Sequence, residues 1–169
     1  MEVGDWITLG AVIVALGVGV ASIIHTNILQ RKARKERLLD DIIEWAMSIE
    51  SRGIEKDVLM SRNQRDLKSF MFDSFGKMKF NLEASLIRSQ HILSIASSFG
   101  KELNNRVNVL IIQTYQYIEA IEKCRGALRA NMLPCNFPSV AEELEEPILK
   151  IEEAASRVME EASTIKSKI

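Results

Sequence analysis

The chain has 169 residues, of which 8 are Gly, 3 are Pro and 6% are aromatic; this composition excludes a collagen-like or low-complexity chain and points to long helices rather than sheets. A formal net charge of -1 excludes a global field that would draw the molecule to nucleic acid. Two cysteines, Cys124 and Cys135, form no CxxC pair, which excludes a disulfide-stapled scaffold and makes free thiols the expectation.

The first predicted element is a membrane anchor over residues 1–30. Residues 6–24, WITLGAVIVALGVGVASII, carry no charge over 19 positions. As a helix that run is about 28 Å long, close to the thickness of a hydrocarbon core. The residues before it, Glu2 and Asp5, are acidic, whereas a cleavable signal peptide opens on positive charge. The run is followed by RKARKER, in which Arg31, Lys32, Arg34, Lys35 and Arg37 outweigh Glu36. The positive-inside rule then orients the span, with the N-terminus outside and everything after it cytoplasmic, at the inner face of the cell membrane. These five cations are also the expected contacts to anionic lipid head groups. Ala11, Ala15 and Gly19, four residues apart, make a small-residue stripe of the kind that lets spanning helices associate.

Residues 31–169 are predicted to form a cytoplasmic up-and-down bundle of about four helices. With no Gly or Pro between Gly19 and Gly53, the anchor is expected to run unbroken into the first of them. There Leu38, Ile42, Trp45 and Ile49 line one stripe, Leu39, Ile43 and Ala46 broaden it, and Gly53 stops it. The next apolar period runs through Leu67, Met71, Phe75, Met78, Leu82, Leu86, Leu93 and Ala96, with Ser89 its polar member. An unbroken helix from 54 to 99 would reach about 69 Å, far longer than its neighbour, so a break is expected within Ser61–Asn63 or at Gly76. Gly100 ends it. A third helix is expected over residues 101–131, with Leu103, Val107, Leu110, Tyr117, Ile121, Cys124 and Leu128 inward and Thr114 the polar exception. The stretch MLPCNFP reads as a loop. Ser139, with Glu142 three residues on, then opens a coiled-coil-like last helix by a capping box. Its seam is Leu144, Ile148, Ile151, Ala155, Val158, Ala162, Ile165 and Ile169, its outer face is glutamate-rich, and Pro147 is expected to kink it or to begin its regular portion.

No catalytic set is legible. Only His25 and His91 are present, neither within HExxH or ExxH, and the chain carries no P-loop, no GxGxxG and no GxSxG elbow. The expectation is a protein that is not an enzyme, with no catalytic residue, no cofactor, no metal, no small-molecule substrate and no nucleic-acid partner. Phe72 and Phe80, eight residues apart and offset from the main stripe, are the candidate partner surface. The function read from the sequence is a membrane-tethered scaffold or adaptor that self-associates or docks a helical protein, its other partner being membrane lipid. The alternative is a pore-forming effector controlled by its bundle.

Overall fold

Apolar residues spaced alternately four and three apart put one stripe on each helix, and the stripes find each other in a bundle. The structure, a computed structural model, describes the backbone of residues 3–53, 67–130 and 137–169 and, within these, the side chains of residues 14–51, 71–130 and 143–169. Five α-helices and no strand are present among them: α1 (Val3–Gly53), α2 (Leu67–Ile87), α3 (Ser89–Phe99), α4 (Lys101–Arg129) and α5 (Phe137–Ser167).

The chain divides after Leu38 into two units. In the first, α1 is exposed around its whole circumference from Val14 to Lys35. Among the described residues no helix is long and apolar enough to cross a membrane. The side chains of residues 6–13, which open the run read above as a span, lie outside those described, as does Ala11 of the small-residue stripe.

The second unit, Leu39–Lys168, is the bundle. Helix α1 contributes Leu39, Ile42, Trp45, Ala46 and Ile49 to the core. Helix α4 buries the expected seam from Leu103 to Leu128, Thr114 included, and α5 buries Leu144, Ile148, Ile151, Ala155, Val158 and Ala162, whereas the expected last members Ile165 and Ile169 are half-buried. Each fully buried Leu, Ile or Val contributes about 1.5–3 kcal/mol from apolar burial, an upper estimate set against an extended chain. Side-chain pairs across the helices fix the directions. Arg106 on α4 reaches Glu161 on α5 while Cys124 reaches Glu143, so those two run antiparallel. Lys79 on α2 reaches Glu122 on α4 while Gly76 lies beside Arg125, again antiparallel. Asp40 near the start of the α1 core meets Lys166 near the end of α5 at 2.5 Å.

The second seam differs from its sequence reading. The buried 4,3 series is Met71, Phe75, Met78, Leu82, Ser85, Ser89, Ile92 and Ala96, flanked by the expected Leu86 and by Ser74 and Ile95, also buried; Ile92 takes the central place expected for Leu93, which is half-buried. Gly76 sits inside an uninterrupted α2, so no break falls there, and Ser61–Asn63 lie outside the described residues; among the described residues the interruption is at Arg88. Its cause is chemical. The buried indole Nε1 of Trp45 donates to the Ser85 carbonyl at 2.9 Å, and the Arg88 N–H donates to the same oxygen at 3.3 Å, three residues along rather than four. A side chain inserted into the backbone ladder is a standard source of helix kinks. The 4,3 spacing of the seam passes through the interruption without a change of face.

Gly100 alone connects α3 to α4, at φ 137° and ψ 168°. That region of backbone space is open essentially to glycine only, which is why a one-residue turn can reverse the chain here. Helix α5 begins at Phe137, two residues before the capping box placed its start. Pro138 therefore occupies the first turn, where its missing N–H has no partner to lose. The side chains of Ser139 and Glu142 lie outside the described residues. Pro147 stands inside α5, which continues through it to Ser167.

Candidate interaction surface

Two surfaces carry the chemistry that the helices leave outside the core. On α1, Val14, Leu16, Val18, Val20, Ile23, Ile24, Ile28 and Leu29 are each more than half exposed. Contiguous apolar exposure of this extent on every side of a helix is uncommon for a surface in water. Ala15 and Gly19 belong to this exposed stretch, and a Cβ added at Gly19 would meet nothing within 4 Å. Arg31, Lys32, Arg34, Lys35 and Arg37 follow directly, all exposed. His25, at the junction, is exposed too.

The second surface is a groove of about 520 Å³ between α2 and α4, lined by Asp73, Gly76, Lys77, Phe80, Asn81 and Arg125. The sequence pairs Phe72 with Phe80, and the structure separates their roles. Phe72 turns toward α4, half-buried, with the Arg125 guanidinium 4.5 Å and that of Arg129 5.4 Å from its ring centre. Phe80 stands on the outer face at 70% exposure, and Ile87, seven residues on, is 82% exposed. A guanidinium over an aromatic face is worth about 0.5–1 kcal/mol at such half-open sites.

Arg125 is held from three directions. Its Nη1 donates to Glu122 at 2.8 Å, its plane covers Phe72, and Gly76 allows the close approach. A Cβ at residue 76 would stand 3.3 Å from Arg125 Nη2. The buried Nε has no hydrogen-bond partner among the described residues, the cost of laying the guanidinium flat on the ring and the glycine. Glu122 also accepts from Lys79 at 3.0 Å, and these two cations hold its carboxyl below the usual range. Lys79 is raised in turn, chiefly by its bond to Glu122.

Arg125, Arg129 and Glu122 were not singled out by the sequence, and Gly76 was read there only as a candidate break. The spacing of the three charged residues on α4 is that of an ordinary solvated charge face, and only the antiparallel packing of α2 onto α4 turns it into a clamp. A second, smaller cleft between α4 and α5 lies beside a network: Arg106 bridges Glu102 and Glu161 and donates to the Arg157 carbonyl, and Arg157 pairs with Glu153. Such half-exposed pairs contribute little each.

Thr114, Cys124 and Tyr117 belong to the core. Thr114, fully buried, donates its hydroxyl to the Leu110 carbonyl at 2.7 Å. Cys124 is buried with its thiol directed to Glu143 at 3.6 Å, and burial first, then that carboxylate, pushes it up to about 12. Burial likewise raises the Tyr117 hydroxyl. His91 is exposed on α3, and Cys135 lies outside the described residues. Among the described residues no group of His, Cys, Asp and Glu side chains converges as a metal site.

Comparison with protein-family models, with curated proteins and with solved structures yields no match to this chain.

Proposed function

We infer that the protein is a membrane-tethered helical scaffold: α1 anchors it, and the bundle presents a docking surface at the cytoplasmic face of the cell membrane. The observation that carries this reading is the state of α1 before Leu39. Eight large apolar side chains between Val14 and Leu29 stand exposed on all sides of one helix, with a cationic segment directly after them. Water is a poor solvent for such a collar, and a bilayer followed by its head-group layer is a good one. The sequence prolongs the apolar run N-terminally to Trp6. The single-pass topology, the outside N-terminus and the association of copies through Ala11, Ala15 and Gly19 belong to the same proposal.

The docking surface of this scaffold is the α2 outer face around Phe80 and Ile87, beside the groove over Arg125. Exposed aromatic and aliphatic side chains next to a fixed guanidinium resemble the anchors of protein interfaces. The pore-forming alternative has no observation in its favour.

The test is a mild-detergent pull-down of the full-length protein from native membranes, with mass determination of the complex. A stoichiometric partner that is lost on Phe80→Ser supports the adaptor. A chain recovered in the soluble fraction, without membranes, refutes the tether. If the complex holds only copies of this chain, Ala15→Leu with Gly19→Leu must weaken it, or the anchor plays no part in assembly.

A further inference from the structure

The cationic segment of α1 has a feature that topology alone does not require. At about 100° per residue, Arg31, Lys32, Arg34, Lys35 and Arg37 are distributed around the helix, with Glu36 in the widest gap between them. They also stack on one another. Arg31 with Arg34, Arg31 with Lys35, Lys32 with Lys35 and Arg34 with Arg37 are like-charge pairs at helical neighbour spacing, each destabilising in isolation. The acids relieve only part of this: Lys32 has Glu36 and Arg37 has Asp41 four residues on, whereas Arg31, Arg34 and Lys35 have no acid at neighbour spacing, and Asp40 is committed to Lys166. A continuous helix thus holds five exposed cations, three of them without an acid at neighbour spacing, beside eight exposed apolar side chains.

We propose that this collar is a binding site for the phosphates of acidic phospholipids, recruiting several such lipids around α1. The proposal rests on the tether and deepens it by naming the lipid class. Phosphate is the chemistry that fits: arginine presents a planar fork to it and lysine a point charge, and both occur at alternating levels of the ring. The adjacent apolar surface selects a phosphate that carries acyl chains over a free one. The head-group layer lies where the collar begins, so one lipid places its tail on Ile24, Ile28 and Leu29 and its phosphate on Arg31 or Lys32.

The experiment reconstitutes the full-length protein into vesicles of phosphatidylcholine mixed with phosphatidylserine, extracts it in mild neutral detergent and counts retained lipids by native mass spectrometry. The expected result is retention of phosphatidylserine over phosphatidylcholine, falling as salt is raised. Each cation exchanged for glutamine should reduce that preference about five-fold. The variant Arg31→Gln with Arg34→Gln tests this, and Arg31→Lys with Arg34→Lys, which keeps the charge, should retain the preference. Salt dependence of the unmodified protein gives a reading that needs no variant to fold. A protein that enters vesicles but retains both lipids equally overturns the collar and leaves the tether standing. A protein that never associates with vesicles overturns both. Displacement of the lipid by inorganic phosphate at comparable concentration overturns the lipid as the ligand's source.

Discussion

Alanine placed at Gly100 and at Gly126 should move stability in opposite directions, although the new methyl meets open space at both. Neither site has a neighbouring heavy atom within 4 Å of an added Cβ. Packing is therefore silent, and backbone conformation alone decides. Gly100 holds φ 137°, and forcing alanine there costs about 1–3 kcal/mol. Alanine also restricts the unfolded chain, which returns about 0.4–1 kcal/mol, so the net loss is about 1–2 kcal/mol. Gly126 lies in helical backbone within α4, and alanine should stabilise it by about 0.5–1 kcal/mol. For a chain of this size each kcal/mol shifts the melting midpoint by about 2–4 °C. Gly100→Ala should thus melt about 2–8 °C lower and Gly126→Ala about 1–4 °C higher, followed by circular dichroism of the full chain in mild detergent. Shifts of the same sign would refute the assignment of Gly100 as a one-residue reversal between α3 and α4.

Trp45→Phe removes the indole donor to the Ser85 carbonyl and should cost about 1–2 kcal/mol, mostly the lost buried hydrogen bond, read as a lower denaturation midpoint; an unchanged midpoint would mean that the bond does not shape the interruption at Arg88. Cys124, with its thiol pushed up to about 12, should resist iodoacetamide at pH 8 in a Cys135→Ser background until the bundle unfolds, and rapid labelling of native protein would contradict its burial. Glu122 has a lowered folded pKa, so its contribution to stability is present above the ordinary glutamate range and disappears as pH falls through the folded value. An acid titration should therefore destabilise the unmodified chain more than Glu122→Gln, and parallel curves would remove the Lys79–Glu122–Arg125 cluster from the account.

The all-helical class, the seam of α4, the seam of α5 as far as Ala162 and the end of α3 at Gly100 were legible in the sequence, because a 4,3 apolar period and an isolated glycine are local signals. The apolar run after Trp6 and the five cations behind it were legible for the same reason: composition over consecutive residues needs no partner to be read. The tertiary structure decided what depends on distant pairs. Leu93 and Ile92 satisfy the apolar period almost equally well, and only packing selects Ile92. The interruption at Arg88 arises from Trp45, 43 positions earlier in the chain, and no local residue announces it. Phe72 and Phe80 look alike on a helical wheel, yet Arg125 and Arg129 reach across from α4 to cover one and leave the other in solvent. Periodicity fixes which face of a helix is apolar; which charged side chain lies down on that face is set by the register between helices, and register exists only once they pack.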